Sequence, residues 1–177
     1  MIIKNKVDRP NEIQQLFDIC NSSLIAYYWN ENQVDSDNIE MSQYSGFTHM
    51  LYKDGKINSD YYAFFYPLIE YIADKEQIKI KALHRLQINM LLNINVSEEE
   101  IKNSIHRDME DPKYKTIIYY INDSDGDTVI YDEYFKIVDS IKPLLGNYVI
   151  FNSNSLHSAT IPKHTKKRMV VNCVIEV

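Results

Sequence analysis

The chain has 177 residues, of which 45% are hydrophobic, and this is enough for one buried core. Nineteen Lys and Arg against 25 Asp and Glu give a net charge of −6, so the overall basic field of a general nucleic-acid binder is absent. Two cysteines are too few for a disulfide framework, and no apolar run reaches the roughly 20 residues of a membrane helix. The start MIIKNKVDRP has no apolar stretch of signal-peptide length, so we expect a cytoplasmic protein.

Two helices are predicted within the first 77 residues. Pro10 suits the first position of a helix, and an apolar stripe at spacing i, i+3, i+4, i+7 follows it, formed by Ile13, Leu16, Phe17 and Cys20. A second helix is predicted over 61–73 after the potential capping residues 58–60, with Pro67 expected to start, kink or divide it. We interpret 1–77 as a helical and loop region that supports the remainder of the chain.

From residue 78 onward the pattern is typical of strands. Apolar residues alternate with polar ones over 78–92, and Ser97 to Glu100 has capping-box spacing that predicts one helical turn before Ile105. Further strands are predicted at TIIYYIN (116–122), TVIYDE (128–133), YFKIVDS (134–140), NYVIFN (147–152) and KRMVVNCVIEV (167–177). Short strands separated by turns favour an antiparallel sandwich or barrel. The prediction is a single α+β, mainly β domain over 1–177, with 78–177 as its core.

Three residues in this core have the chemistry of metal ligands. His106 and Asp108 are two residues apart, so on an extended strand they face the same side. His157 lies 157 − 108 = 49 residues after Asp108 and follows an apolar strand that could return across a barrel. Two histidines and one carboxylate form the facial triad of non-haem Fe(II) oxygenases. The H-x-D spacing alone also fits a surface histidine beside a solvated acid. The surrounding sequence must therefore distinguish a metal site from such a surface pair.

A basic residue opens the last apolar strand. Arg168 lies 168 − 157 = 11 residues after His157 and precedes MVVNCVI, so its guanidinium is predicted to be buried. A buried guanidinium requires an anionic partner, and a carboxylate is its natural counter-ion. Lys166 and Lys167 compete for this role. Lys166 would share the face of Arg168 but lies nearer the turn, whereas Lys167 would point to the other face.

These features occur in an order that resembles a known enzyme superfamily. The series His106-x-Asp108, TIIYYIN, SDGDTVIY, the turn 143–146, NYVIFN, His157 and Arg168 resembles the Fe(II)/2-oxoglutarate-dependent dioxygenases, closest to their prolyl-hydroxylase-like branch, over about residues 84–177. The resemblance implies a double-stranded β-helix, a jelly-roll barrel with supporting helices outside. One departure is that the family's Gly-Gly pair appears here as Asp125-Gly126.

The resemblance also implies a cofactor site. His106, Asp108 and His157 would bind Fe(II), and Arg168 would bind the distal carboxylate of 2-oxoglutarate, completing the catalytic set. Four further residues would line the co-substrate pocket: Tyr120, Ile118, Thr128 and Asn172. Tyr120 would donate its hydroxyl to the co-substrate carboxylate. Plain core packing is the alternative for Tyr120, and a satisfied strand-end amide is the alternative for Asn172.

The implied reaction is hydroxylation of a C–H bond by dioxygen with release of succinate and carbon dioxide, with ascorbate as an added reductant. A retained Asp108 favours hydroxylation over halogenation. The substrate would be a peptidyl residue such as proline or a small molecule. Nucleic-acid demethylation is disfavoured, because repair enzymes would carry a second arginine at the position of Val174. The alternatives are a cupin-like metal enzyme that does not use 2-oxoglutarate and a non-catalytic jelly-roll binding module.

Overall fold

The computed structural model describes residues 2–31, 45–94 and 105–177. Within these ranges the chain forms two helices, α1 (Pro10–Asn21) and α2 (Tyr62–Lys75). The described strands are β1 (Ile3–Lys6), β2 (Tyr28–Asn30), β3 (Gly46–Lys53), β4 (Lys56–Ile57), β5 (Ala82–Leu92), β6 (Tyr114–Tyr120), β7 (Thr128–Tyr131), β8 (Ile137–Ile141), β9 (Asn147–Asn152), β10 (His157–Ala159) and β11 (Lys167–Glu176). The capping box predicted at 97–100 lies outside the described residues.

The strands form two antiparallel sheets. The major sheet has the order β1-β9-β6-β11-β5-β3-β2, with β4 paired to β3, and the minor sheet has the order β10-β7-β8. A bridge between His106 and His157 extends the minor sheet beyond β10. This arrangement confirms the predicted α+β, mainly β class and is consistent with a jelly roll.

Each face of the major sheet has its own apolar core. On the back face the two helices cover a large cluster that includes Leu16, Cys20, Phe65, Leu68, Ile72, Leu86, Ile88, Tyr119, Met169, Val171 and Cys173. On the inner face a smaller cluster joins the two sheets, formed by Ile118, Tyr120, Ile130, Ile141, Val149, Phe151 and Val170. Each fully buried side chain of this kind contributes roughly 1.5–3 kcal/mol. The back face therefore supplies most of the burial that stabilises the fold.

Both predicted helices are present. α1 begins at Pro10, as predicted, and buries Leu16 and Cys20 of the apolar stripe. α2 continues through Pro67 instead of being divided there, since its buried side chains hold the segment against the sheet. Its N-cap is Tyr61, whose N–H donates to the Ser59 hydroxyl at 3.2 Å. Neither described helix is long and apolar enough to cross a membrane.

Besides the two helices, residues 1–77 contain four of the described strands, β1 to β4, which the interpretation of this region as helices and loops did not include. The longest, β3, pairs with β5, but a register shift between Met50 and Tyr52 interrupts its alternation. That irregularity hides the strand from a search for a period of two. The region supports the fold by extending the major sheet as well as by covering it with helices.

Two predicted strand starts were wrong. Residues 78–81 precede β5, and Ile78 donates its N–H to Ala73 at the end of α2, so its apolar side chain belongs to the helix connection. At 134–136 the chain turns, with Phe135 at φ 61°, before β8 begins. The Asp132 carboxylate accepts the N–H groups of Tyr134 and Lys136 and fixes this turn.

Candidate metal and carboxylate site

The fold brings His106, Asp108 and His157 together. One potential ligand atom from each lies within 4.8 Å of the other two. His106 and His157 exchange two backbone hydrogen bonds of 2.9 Å, and the Asp108 N–H donates to the Ser153 carbonyl at 3.0 Å. Backbone pairing next to β10 therefore positions all three residues, as their spacing in the sequence suggested.

The histidine rings are oriented toward the carboxylate. His157 Nδ1 lies 3.0 Å from the Ser155 carbonyl, which can only accept, so Nδ1 carries the proton and Nε2 keeps its lone pair. His157 Nε2 is 3.5 Å from Asp108 Oδ2, and His106 Nε2 is 4.0 Å from Asp108 Oδ1. Two imidazole nitrogens and a carboxylate thus face one point.

The Asp108 carboxylate is buried and ionised. Its side chain is 3% exposed, Arg85 Nη2 donates to Oδ1 at 2.5 Å, and Thr116 Oγ1 donates to Oδ2 at 2.7 Å. Burial alone would raise the pKa of Asp108, but the charge of Arg85, the attraction to His157 and His106 in their protonated forms and the Thr116 hydrogen bond outweigh it. The pKa of Asp108 is therefore well below its usual range, which gives the deprotonated state that a metal ligand requires.

Sequence reasoning missed Arg85 and Thr116. Both pair with Val174 from opposite sides of β11, so the two side chains share the inner face of the major sheet. The sequence signal for Arg85 was the alternation along β5, which places its side chain on the other face of the sheet from the apolar back-face residues. It did not indicate that β11 would bring Arg85 beside Asp108, because that pairing is not local.

A second polar cluster surrounds Arg168 on the same face. Arg168 is 4% exposed, and it donates from Nε to the Gly126 carbonyl at 2.7 Å and from Nη2 to Thr128 Oγ1 at 2.8 Å. The buried Tyr120 hydroxyl donates to the same Thr128 oxygen at 2.9 Å, and burial raises the pKa of Tyr120. The structure therefore brings together Arg168, Tyr120 and Thr128, three of the residues predicted for the co-substrate.

The other two predicted pocket residues lie between the clusters. Ile118 and Asn172 are paired in register on β6 and β11, and both are buried on the inner face. The Asn172 side-chain oxygen accepts a hydrogen bond from Arg85 Nη2 at 3.3 Å, so its contact is on the side of the triad. Contact of either residue with a co-substrate stays a prediction.

The Asp125-Gly126 turn fits tightly against Arg168. A Cβ at Gly126 would lie 2.6 Å from the Thr160 carbonyl oxygen and 3.0 Å from Arg168 Cδ. Gly126 is needed because a side chain would collide with the Thr160 carbonyl and Arg168. The single glycine of Asp125-Gly126, which replaces the family's Gly-Gly pair, therefore lies at the position of this close approach.

The Asp125 side chain fastens the loop that leads to Arg168. Its carboxylate accepts the N–H groups of Lys163, His164 and Thr165 and the Thr165 hydroxyl, at 2.7–3.0 Å. The Thr165 hydroxyl is the largest influence, followed by the backbone donors, and together they hold the pKa of Asp125 well below its ordinary value. The turn thus positions the start of β11 as well as Arg168.

The neighbouring lysines occupy different surroundings. Lys167 lies on the back face and donates to Asn21 of α1 at 2.6 Å, while Lys166 is exposed. Lys167 thus points to the other face from Arg168, as the alternation predicted, and the choice of Arg168 as the carboxylate ligand stays a prediction.

The donor set fits Fe(II), since two imidazoles and one carboxylate are the ligands of non-haem iron oxygenases. The guanidinium of Arg168 beside the hydroxyls of Tyr120 and Thr128 fits a carboxylate. A metal and a 2-oxoacid thus match the residues present.

No protein-family model and no curated protein matches this sequence. Solved structures do match it across its length. A 2OG-Fe(II) oxygenase family oxidoreductase from Burkholderia pseudomallei matches with a TM-score of 0.68 and 12% identity, covering 98% of this chain and 84% of that one. A prolyl hydroxylase from Trichoplax adhaerens, in complex with a hypoxia inducible factor peptide fragment, matches with 0.65 and 13%, covering 99% and 82%. A Pseudomonas putida prolyl-4-hydroxylase matches with 0.62 and 12%, covering 99% and 92%.

At these identities the matches establish the fold. The chain has the jelly-roll fold found in 2OG-Fe(II) oxygenases. Prolyl hydroxylases are among the structures that share it. The resemblance inferred from the motif series is therefore confirmed at the level of the fold.

Proposed function

We propose that this protein is an Fe(II)- and 2-oxoglutarate-dependent dioxygenase that hydroxylates a C–H bond of a peptidyl residue or a small molecule. The observation that carries the proposal is the convergence of His106, Asp108 and His157, with the carboxylate held ionised, inside the fold of such enzymes. Bound iron would supply the chemistry that activates dioxygen.

The residues of the chain have separate tasks in this proposal. His106 and His157 would each hold the metal through an imidazole nitrogen, and Asp108 would hold it through its carboxylate. Arg168, oriented by the Gly126 carbonyl and the Thr128 hydroxyl, binds the distal carboxylate of 2-oxoglutarate. Tyr120 orients that subsite through Thr128, and its apolar surroundings on the inner face exclude water.

The preferred substrate is a peptide, with a free amino acid or other small molecule as the second candidate. The Trichoplax adhaerens neighbour was solved with a peptide fragment. The inner face also presents a hydrogen-bonded polar row beside Arg85, formed by Asn30, Thr48, Gln87 and Asn89. Amide and hydroxyl groups of this kind suit a substrate with peptide-like donors and acceptors. The net charge of −6 disfavours a polyanion.

The test measures succinate formation with Fe(II), ascorbate and 2-oxoglutarate. Proline-containing peptides, free amino acids and methylated single-stranded DNA are compared as substrates, and the product is identified by mass as one oxygen atom heavier. His157→Ala should abolish the succinate formation that the substrate stimulates. The matched control is His164→Ala, which replaces an exposed histidine and should retain this activity. Stimulation by methylated DNA alone, with a demethylated product, would contradict the substrate assignment.

The same assay separates the two alternatives. A cupin-like metal enzyme would turn over a substrate without consuming 2-oxoglutarate, and a binding module would retain no iron. The second is disfavoured because the side chains of Asp108 and His157 are buried and the Asp108 carboxylate has partners that keep it charged.

A further inference from the structure

The Asp108 carboxylate has a different partner at each oxygen. Oδ1 accepts from Arg85 Nη2 at 2.5 Å and lies 4.0 Å from His106 Nε2. Oδ2 accepts from Thr116 Oγ1 at 2.7 Å and lies 3.5 Å from His157 Nε2. The two oxygens are therefore not equivalent toward a metal ion placed between the histidines.

The two partners differ in how firmly they hold their oxygens. The bond from Arg85 joins opposite charges and is the stronger of the two. The Thr116 hydroxyl also lies 2.9 Å from Ser153 Oγ, so it has a second acceptor to which it can turn. A metal can thus take Oδ2 at little cost, whereas taking Oδ1 as well would require breaking the ion pair with Arg85.

Arg85 is held in place for this contact. It lies on the inner face of β5, its side chain is 18% exposed, and Asn172 accepts a second bond from the same Nη2. Among the described residues, its buried Nε has no hydrogen-bond partner. A buried donor without a hydrogen bond lowers the stability of the fold. The position of the guanidinium is therefore determined by its bond to Asp108 and not by hydrogen bonds to all of its own donors.

Denticity matters because carboxylates bind metals through either one or both oxygens. An octahedral ion bound by two histidines and one carboxylate oxygen keeps about three open positions, and a second carboxylate oxygen would remove one of them. Chelation by 2-oxoglutarate would fill two positions, so only the one-oxygen mode would leave a position for dioxygen.

We propose that Arg85 is a positioning residue that restricts Asp108 to binding the metal through Oδ2 alone. The inference rests on the proposed function in one respect, that the triad binds a divalent metal. Arg85 touches neither metal nor substrate in this role and acts through Asp108. It thereby preserves an open coordination position that the three ligands alone would not guarantee.

The experiment counts the water molecules on bound Mn(II) from the water-proton relaxivity of the protein complex. Wild type, Arg85→Met, Arg85→Lys and the control Gln87→Met are compared with the metal alone as probe. Gln87 is the next inner-face residue on β5 and bonds Asn89 without contacting Asp108. Circular dichroism checks that each variant is folded.

We expect Arg85→Met to lower the relaxivity of bound Mn(II) by about a third, because a second carboxylate oxygen replaces one of about three waters. Arg85→Lys, which keeps a cationic donor, should stay near wild type, as should Gln87→Met. Arg85→Gln, whose amide is too short to reach Asp108, provides the same test if the methionine variant unfolds.

Two results would overturn the inference and can be told apart. If wild type binds Mn(II) and the Met and Gln variants show wild-type relaxivity, Arg85 does not control denticity, while the proposed function stands. If wild type binds no Mn(II), the metal site itself is wrong and the proposed function fails with it.

Discussion

The two faces of the major sheet are built from the same strands but differ in almost every property. On β11 the back face carries Met169, Val171 and Cys173, whereas the inner face carries Arg168 and Asn172. The back face is closed by α1 and α2, and the inner face is completed by the minor sheet and its loops. Alternation of side chains along β11 thus places the stabilising apolar residues on the back face and the candidate functional residues on the inner face.

Buried ionisable groups have different charge states on the two sides of the major sheet. Burial raises the pKa of the Cys173 thiol, which stays neutral on the back face. Asp108 is also buried, but cationic neighbours lower its pKa and keep it charged. The difference shows that depth alone does not determine ionisation here, since the inner face supplies Arg85 and the back face supplies apolar side chains.

Breaking the back face should have the largest effect. Val171→Asp would place an unpaired carboxylate in a fully buried apolar position, and we expect the free energy of unfolding to fall by about 4 kcal/mol or more. Its neighbour Asn172 is the matched control, because Asn172→Asp would place the carboxylate beside Arg85. Urea unfolding followed by circular dichroism compares them. Equal destabilisation would contradict the distinction between the faces.

Breaking the triad should abolish turnover while leaving the fold intact. His106→Ala, Asp108→Ala and His157→Ala each remove a proposed metal ligand but little of the back-face packing. Metal content measured by mass spectrometry should fall with activity. The unfolding temperature of the metal-free proteins should change little for the two histidine variants but should fall for Asp108→Ala, which leaves Arg85 without its counter-ion. Wild-type iron occupancy in any of the three would refute that ligand.

At the other cluster of the inner face, Arg168→Ala should raise the KM for 2-oxoglutarate by about 10- to 100-fold, the range for losing a charge-assisted pair. Arg168→Lys should be partly active, because the ammonium keeps the charge and loses the fork. Lys166→Ala, an exposed neighbour, serves as the control. Unchanged affinity in Arg168→Ala would transfer the role to Lys166 or Lys167.

A smaller effect is expected from the turn that supports Arg168. Gly126→Ala would push a methyl group against the Thr160 carbonyl and Arg168 Cδ, so the KM for 2-oxoglutarate should rise by roughly 3- to 10-fold. Gly55→Ala is the contrasting control. Its Cβ meets nothing within 4 Å, but its φ is +83°, so it should reduce stability without affecting the KM.

The smallest effect concerns pH and the Asp125 loop. Because folding lowers the pKa of Asp125, its stabilising contribution is present above the ordinary value of about 3.9 and is lost as pH falls through the depressed folded value. Asp125→Asn should therefore lower the unfolding temperature most near neutral pH, and the gap to wild type should shrink below about pH 4. A gap that widens on acidification would contradict the assignment.

The sequence predicted local features better than those that depend on pairing between strands. β9 matches its predicted range 147–152, and His157 and Arg168 lie in the surroundings expected from their neighbours. Arg85 was not recognised as a partner of Asp108 because the two meet only through the pairing of β5, β11 and β6. β3 was missed because its register shift breaks the alternation that would reveal it.

The backbone bridge between His106 and His157 has a consequence for the lifetime of the protein. These residues are 157 − 106 = 51 positions apart, so an ion bound by both would close a long loop as a cross-link does. If the unfolded chain kept the ion, the closed loop would reduce its conformational freedom. If only the folded state binds the ion, binding would stabilise that state by mass action. Iron supply would then determine how long the protein resists proteolysis as well as whether it turns over substrate.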